Sequence, residues 1–164
     1  MPNWDEIVDQ HGPTVFRLAR RILGHGPDAA DVVQEIFLDV FRLQEKWEVR
    51  NWAGFLHHVA THRALDRLRR RRTMQPLHDV DVFDAGDGPL ETAIAGELVE
   101  RLREAITQLP DRQAAVFSMR NFDDRPYDQI AEILNIEAGA VGTALYKART
   151  KLNALLEIKV KGAS

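Results

Sequence analysis

The chain has 164 residues, of which 45% are apolar and 29% charged, and its net charge is −3. This balance excludes a disordered chain, a collagen-like repeat and a disulfide scaffold, and the absence of cysteine excludes a thiol nucleophile and cysteine-ligated zinc. At about 150 residues per domain, the length allows one domain or two small ones.

The first residues do not have the pattern of a targeting segment. Asp5, Glu6 and Asp9 stand where a signal peptide needs positive charge and an apolar core. Apolar stretches are only a few residues long, against the about 20 residues that span a bilayer. We therefore expect a soluble, cytoplasmic protein without membrane insertion.

Apolar residues at helical spacing dominate the first part of the chain. Asn3 starts a capping box, and the helix that follows is predicted to end at Gly24. Asp28 is predicted to cap a second helix, and a third runs from about Trp52 into a run of arginines. The three helices predict a compact lobe over residues 1–72.

Residues 73–88 interrupt the helical spacing. They contain proline, two glycines and four aspartates, a composition typical of a linker. Pro89 is then predicted to open a helix with Leu98 on its inner face, and another helix follows around residues 113–120. A second helical lobe is therefore predicted over residues 89–164.

The segment from about residue 126 to 152 has the pattern of a helix-turn-helix. Pro126 opens a short helix, Asn135 suits a left-handed turn position, and a longer helix begins at about Ala138. The predicted inner face of the longer helix consists of Val141, Leu145, Ala148, Leu152 and Leu155. The sequence thus predicts an all-α fold of two small helical domains joined by an acidic linker.

Acidic residues follow one side of the second helix. Asp31, Glu35 and Asp39 are four residues apart, with Gln34 beside them. A carboxylate metal site would need an inward-facing Glu-x-x-His pattern, which is missing. Docking of a basic partner and a solvated helix face both remain open, and charge alone favours the solvated face.

Residues for metal or catalytic chemistry are scarce. His58 and His62 are four residues apart but have no third ligand beside them, which favours surface or groove-lining histidines over a zinc site. No phosphate-binding loop, serine elbow or other catalytic motif is present in the sequence. We expect no metal, no cofactor and no enzymatic activity.

Positive charge is concentrated in one block. Residues 51–72 hold six basic residues and one acidic residue, in a chain whose net charge is negative. Arginine forks bind phosphates, and the rings of Trp52, His57 and His62 can stack on unpaired bases. Arginines also favour a helix C-terminus, but five within six residues exceed what the helix dipole explains. The block predicts contact with nucleic acid.

Four segments match, in order, the motifs of a known family. Residues 28–37 read D-A-A-D-V-V-Q-E-I-F, and residues 55–66 read F-L-H-H-V-A-T-H-R-A-L-D before the arginines. Residues 109–120 begin with L-P and end in V-F-S-M-R, and residues 127–136 read Y-D-Q-I-A-E-I-L-N-I. These segments resemble regions 2.2, 2.3–2.4, the start of region 4 and region 4.2 of the group IV, or extracytoplasmic function (ECF), bacterial sigma factors.

The resemblance implies a subunit that binds core RNA polymerase and directs promoter recognition and transcription initiation. Region 2 would dock on polymerase through Asp28, Asp31, Gln34 and Glu35. It would bind the promoter −10 element through Trp52, His58, His62, Arg63, Arg67, Arg69, Arg70 and Arg71. Region 4 would bind the −35 element through Arg125, Ala138, Ala140, Thr143, Lys147 and Arg149. An anti-sigma factor is a further expected partner, and the linker would thread toward the polymerase active-site and RNA-exit channel.

The reading helix departs from the family. Ala140, Gly142 and Ala144 stand where the family often has Thr, Lys and Arg. Bidentate base contacts contribute about 1–3 kcal/mol of discrimination each, so their loss predicts weak −35 readout and specificity mainly at the −10 element. The substitutions Gly142→Lys and Ala144→Arg are predicted to tighten −35 binding.

Two other functions fit the same elements. A free-standing helix-turn-helix regulator would bind duplex DNA without polymerase. A sigma-like adaptor would bind polymerase but would have lost promoter binding. Transcription with core polymerase separates the three possibilities.

Overall fold

The computed structural model describes residues 3–43, 48–74 and 90–162. Within these ranges the chain forms seven α-helices and no strand, so the predicted all-α class is confirmed. The helices are α1 (Trp4–Leu23), α2 (Gly26–Leu43), α3 (Trp52–Met74), α4 (Leu90–Ile106), α5 (Asp111–Asn121), α6 (Tyr127–Leu134) and α7 (Ala138–Gly162). Residues 73 and 74 of the predicted linker form the end of α3, and its remainder, together with the helix start predicted at Pro89, lies outside the described residues.

The two ends of α1 follow the sequence prediction. The Asn3 side chain accepts a hydrogen bond from the Asp5 N–H at 3.1 Å, which satisfies one of the free donors of the first turn. Gly24 ends the helix in the left-handed region at φ 71°, and its N–H donates to the Arg20 carbonyl at 2.7 Å.

The start of α2 differs from the prediction. The helix begins at Gly26, and the residue before it, His25, supplies the cap. The His25 carbonyl accepts the Ala29 N–H at 3.0 Å, and its Nδ1 atom accepts the Asp28 N–H at 3.3 Å. The prediction that Asp28 caps this helix was therefore wrong. Asp28 lies inside the first turn, where its charge favours the positive end of the helix dipole.

Helices α1, α2 and α3 pack around an apolar core, and together they are called the N lobe below. The largest fully buried side chains of this core are Val15, Leu18, Ile22, Leu23, Val32, Ile36, Leu56 and Leu65. At one end, the Trp4 ring lies 5.3 Å from the Phe41 ring and 6.4 Å from the Trp52 ring, measured between centroids. These aromatic contacts connect all three helices.

Helices α4 to α7 form the C lobe, with α5 at its centre. Every α5 residue from Ala114 to Met119 is buried. Leu98 of α4 was predicted to lie on the inner face but is 52% exposed. Ala105 and Ile106, which were predicted on the same inner face near the C-terminal end of α4, are buried.

The helix-turn-helix is formed by α6 and α7. Asn135 adopts the left-handed conformation at φ 55°, and its N–H points to the carbonyls of Ala131 and Glu132. The predicted inner face of α7 is buried at Val141, Leu145, Ala148 and Leu152. Pro126 precedes the first residue of α6, as predicted.

Helix α3 contacts both lobes. It packs on α1 and α2, and its other side contacts α4, α5 and α6 of the C lobe. The helix that carries the basic block is therefore central to the molecule. Within the described part of the chain, no helix combines the length and the apolar character needed to cross a membrane.

Candidate nucleic-acid interface

The acidic side of α2 faces the basic side of α3, and Arg67 is at the centre. Its Nη2 atom lies 3.5 Å from Asp28 Oδ1 and 3.4 Å from Asp31 Oδ2. Its Nη1 atom lies 3.6 Å from Glu35 Oε1. An arginine predicted to bind DNA is thus shared by three acids predicted to bind polymerase.

Two further ion pairs flank Arg67. Arg63 Nη2 lies 2.5 Å from Asp39 Oδ2, and Arg71 Nη1 lies 3.6 Å from Asp28 Oδ2. The carboxylates are still accessible, because the side chains of Asp31 and Glu35 are 61% and 52% exposed. The pairs made by the exposed carboxylates of Asp31, Glu35 and Asp39 contribute about 0–1 kcal/mol each, so a partner can replace them at small cost.

Gln34 borders a second feature of α2 beside the acidic side. It lines an apolar groove of about 590 Å³ between α1 and α2, together with Trp4, Val8, Phe16, Ala30, Val33, Phe37, Leu38 and Phe41. Leu38 and Phe41 are each 49% exposed. Sequence reasoning missed this groove. Leu38 and Phe41 could have indicated it, because they are large apolar residues three positions apart on a helix whose other side is acidic.

The C-terminal half of α3 contacts the turn between α4 and α5. Arg69 donates from Nη2 to the Leu109 carbonyl at 3.2 Å, and its Nη1 atom lies 2.8 Å from Asp111 Oδ1. Arg72 donates from Nη1 to Thr107 Oγ1 at 2.9 Å. Arg70, between them, is exposed. Contacts with the C lobe therefore occupy part of the basic block.

Three polar side chains meet where α3 faces the start of the helix-turn-helix. His57 is only 3% exposed, and its Nδ1 atom lies 2.8 Å from Asp123 Oδ2. Arg125 donates from Nε to Asp123 Oδ2 at 2.8 Å, and its Nη2 atom lies 2.8 Å from His57 Nε2. Sequence reasoning did not connect these residues, because His57 and Asp123 are 66 positions apart.

This cluster changes the titration of its carboxylate. Burial by itself raises the pKa of Asp123, but hydrogen bonds from His57 and Arg125 outweigh burial, so the pKa lies below its usual value. Asp123 is therefore charged, and Arg125 is held between the lobes rather than presented on an open surface.

The N-terminal half of α3 carries the predicted base-stacking rings. The His58 and His62 rings lie 4.6 Å apart, and both burial and the neighbouring His62 lower the pKa of His58. Trp52 is half-buried, with its ring 6.0 Å from that of Phe55. Among the described residues, no three histidine or acidic side chains come together in a way that could hold a metal ion.

A cavity of about 560 Å³ opens beside His58. Its lining consists of Glu48, Val49, Arg50, Asn51, Phe55, His58 and Ile133. Phe55 and His58 belong to α3, Ile133 comes from α6 of the C lobe, and the other four residues precede α3. An aromatic ring, an imidazole and polar loop groups around one cavity suit an unstacked base.

The outer face of α7 is mostly small. Ala138, Thr143, Lys147 and Arg149 are exposed, and Ala140 is half-buried. Ala144 is only 6% exposed, so the expectation that it faces DNA was wrong. The register of α7 places Ala144 beside buried Leu145 in the C-lobe core.

Tyr146 is the large exposed side chain that sequence reasoning missed on α7. It is 73% exposed and lies one turn beyond Thr143 on the same helix face. Tyr146 follows Thr143 by three positions, and this spacing could have placed it on the same helix face from the sequence alone. A tyrosine offers a phosphate or base both a hydroxyl and a stacking face.

Comparison with known proteins agrees with this architecture. A family model described as Sigma-70 region 2 matches residues 7–73, and one described as Sigma-70, region 4 matches residues 99–152. Two solved structures share the fold over 94% of this chain. They are CnrH in complex with the cytosolic domain of CnrY (TM-score 0.58, 18% identity, 88% of that chain covered) and the Bartonella quintana sigma factor RpoE in complex with the anti-sigma factor NepR (TM-score 0.55, 16% identity, 96% covered).

Three curated relatives have one description in common, that of an ECF RNA polymerase sigma factor. SigE of Mycolicibacterium smegmatis is 33% identical over 156 residues, which cover 93% of this chain and 61% of the relative. SigW of Bacillus subtilis is 28% identical over 162 residues, which cover 90% of this chain and 85% of the relative. SigF of Caulobacter vibrioides is 32% identical over 141 residues, which cover 84% of this chain and 74% of the relative. The chain therefore belongs to the ECF sigma factors of the sigma-70 family.

Proposed function

We propose that this chain binds core RNA polymerase and directs it to promoters, where it takes part in initiating transcription. The observation that carries the proposal is the presence, in one chain and in order, of a region 2 lobe with a basic helix and a region 4 lobe with a helix-turn-helix. The chain supplies binding groups only, and the chemistry of RNA synthesis belongs to the polymerase. Its place of action is the cytoplasm, where promoter DNA lies.

Core polymerase would bind the N lobe along α2. Asp28, Asp31 and Glu35 offer an accessible acidic side, and Gln34 lies in the apolar groove beside it. A basic partner helix with an apolar edge complements both features. An anti-sigma factor is a second partner of this kind, since both solved neighbours of the same fold are complexes, one with a named anti-sigma factor.

The −10 element would bind along α3. Arg63, Arg67, Arg69, Arg70 and Arg71 supply phosphate contacts, and Trp52, His58 and His62 lie at the other end of the helix. The cavity beside His58 would receive an unstacked base. Because α3 combines phosphate-binding and stacking groups, it suits melted rather than duplex DNA.

The −35 element would bind α7 more weakly. Thr143, Lys147 and Arg149 are exposed polar groups in the first half of the helix, and Tyr146 adds a stacking and hydrogen-bonding side chain. The exposed residues from Ala138 to Thr143 include none that makes a bidentate base contact. Backbone amides at the helix N-terminus and phosphate contacts would supply most of the binding.

Reconstituted transcription tests the proposal. The full chain is mixed with core polymerase and a pool of DNA templates with randomised upstream sequence, and the transcribed templates are sequenced. We expect enrichment of a −10-like motif that core polymerase alone does not select. Arg70→Glu should abolish the enrichment, whereas Arg17→Glu, the same charge change at an exposed position of α1, should preserve it. A chain that binds core but enriches nothing is an adaptor, and one that protects DNA without core is a regulator.

A further inference from the structure

Two histidines of α3 lie close enough together to hold one metal ion. His58 and His62 are four positions apart, so both project from the same face of the helix. Their ring centroids are 4.6 Å apart, and the rings are tilted by 53° rather than stacked. We propose that this pair binds a divalent ion of the Zn²⁺, Ni²⁺ and Cu²⁺ class, and that the bound ion competes with DNA of the −10 element.

The separation of the rings fits coordination of a single ion. When one ion lies about 2.1 Å from a nitrogen of each of two imidazoles, the ring centroids are roughly 4.5–5 Å apart. The observed centroid distance of 4.6 Å is within this range. Rotation of each ring about its Cβ–Cγ bond turns a nitrogen toward the ion at little cost, so the backbone of α3 need not move.

Both imidazoles are available as ligands. Within the described ranges, neither ring takes part in a hydrogen bond or an ion pair, whereas His25 caps α2 and His57 binds the C lobe. Burial and the neighbouring His62 lower the pKa of His58, so this ring is neutral at neutral pH. The neutral imidazole is the form that binds a metal ion, and His58 therefore has no proton to lose before it coordinates.

The surroundings leave room for further ligands. His58 lines the cavity of about 560 Å³ described above, which has space for the waters that would complete the coordination shell. Glu48 and Arg50 line the same cavity, so their opposite charges offset each other there. No third histidine or acid among the described residues joins the pair, so water would fill the other positions and the ion would exchange readily.

The two ligands decide which ions fit. Imidazole nitrogen suits Zn²⁺, Ni²⁺ and Cu²⁺, whereas Mg²⁺ and Ca²⁺ prefer oxygen ligands. The sequence favoured groove-lining histidines over a zinc site because a third ligand is missing. A two-histidine site agrees with that observation, because it lies beside a cavity and lacks the four protein ligands of a structural zinc site.

The position of the pair gives the bound ion a consequence for DNA binding. Under the proposed function, His58 and His62 contact unpaired bases of the −10 element, and the cavity beside His58 receives a base. A ring nitrogen that coordinates an ion cannot also bond to a base, and the hydration shell of the ion would occupy the base cavity. The competition therefore rests on the proposed function, whereas the metal site does not.

Metal binding by the untagged full chain tests the site. Calorimetric titration with ZnCl₂ measures the affinity, and pulsed electron paramagnetic resonance with Cu²⁺ counts the coordinated imidazoles. We expect two imidazoles on one ion in the wild type and one in His62→Gln or His58→Gln. Because the second imidazole binds an ion that the first already holds, losing either should weaken Zn²⁺ binding at least about tenfold.

Two control variants separate the pair from the histidine content of the chain. His62→Gln with Arg17→His keeps six histidines but places one at an exposed position of α1, and it should bind Zn²⁺ as weakly as His62→Gln. His11→Gln removes a histidine of α1 and should keep the wild-type affinity. Equal Zn²⁺ affinity in the wild type and His62→Gln, or a wild-type Cu²⁺ spectrum with one imidazole, would overturn the site.

Binding of the holoenzyme to single-stranded −10 DNA tests the competition. The oligonucleotide carries the motif enriched by transcription, and its affinity is measured without Zn²⁺ and with Zn²⁺ at about ten times the dissociation constant of the site. Mass action predicts that Zn²⁺ weakens the wild-type complex about elevenfold. The His62→Gln holoenzyme, compared with itself, should change less than about twofold, and it controls for effects of Zn²⁺ on core polymerase.

The outcomes separate the competition from the proposed function. Wild-type DNA affinity that is the same with and without Zn²⁺ would overturn the competition. Failure of the metal-free holoenzyme to bind the oligonucleotide would instead contradict the proposed function.

Discussion

Two neighbouring positions of α7 should respond in opposite ways to a new positive charge. Gly142 has open surroundings, since a Cβ there would meet only Tyr127 Cε2 at 3.8 Å, an ordinary contact distance. Replacing a helix-interior glycine by lysine recovers about 0.5–1 kcal/mol of helix stability. Gly142→Lys should therefore raise the free energy of unfolding and place a cation on the helix that we propose binds the −35 element.

Ala144 has no such space. It is 6% exposed, and adding a long side chain to a packed position costs about 1–3 kcal/mol, before the burial of charge is included. Ala144→Arg should therefore lower the free energy of unfolding, so the two variants should differ by about 1.5–4 kcal/mol. The sequence predicted that both substitutions would tighten −35 binding, and the burial of Ala144 removes the basis of that prediction for Ala144→Arg.

Urea unfolding of the full chains measures the difference, and titration with a −35 duplex at several salt concentrations measures binding. One new phosphate contact by Lys at residue 142 should steepen the salt dependence by about 0.9. Thr143→Lys is the matched control, because it adds the same charge at an exposed position without replacing a glycine. An Ala144→Arg chain as stable as the wild type would refute the buried register of α7.

Three further predictions follow from the site. Asp123→Asn should lower the free energy of unfolding at neutral pH. The pKa of Asp123 is lower in the folded than in the unfolded chain, so its charge stabilises the fold above the unfolded pKa of about 3.9, and this stabilisation is lost as pH falls through the pKa of the folded chain. Asp31→Asn with Glu35→Gln should weaken binding to core polymerase in pull-down assays, with less than about 2 kcal/mol lost from the unfolding free energy because both acids are more than half exposed. Arg70→Ala should reduce the salt dependence of holoenzyme binding to promoter DNA by about 0.7–0.9 for one lost phosphate contact.

Each of these has a result that contradicts it. A stability difference between wild type and Asp123→Asn that persists unchanged to pH 2 would remove Asp123 from the interlobe cluster. Asp9 is an exposed acid of α1. If Asp9→Asn weakens core binding as much as the α2 double variant does, the effect comes from net charge rather than from α2. An unchanged salt slope for Arg70→Ala would exclude that side chain from the DNA backbone.

The local features of the fold could be predicted from the sequence, because they depend on residues close together in the chain. Asn3 caps α1, Gly24 ends it, and Asn135 makes the turn before α7. The buried positions Val141, Leu145, Ala148 and Leu152 of α7 follow from apolar spacing, whereas the burial of Ala144 was not predicted. Local prediction failed for the cap of α2, where the His25 side chain accepts the Asp28 N–H, and Asp28, which was expected at the cap, lies inside the first turn.

The arrangement of the binding groups was decided by tertiary structure. The sequence indicated a basic helix and an acidic helix, but only packing placed Arg67 against the acids of α2. Packing also turned Arg69 toward the C lobe and joined His57 to Asp123, residues 66 positions apart. Long arginine side chains reach several alternative partners, and the choice among them depends on which helices lie within that reach. Composition and periodicity determine which groups a helix offers, and the packing of the lobes determines what those groups bind.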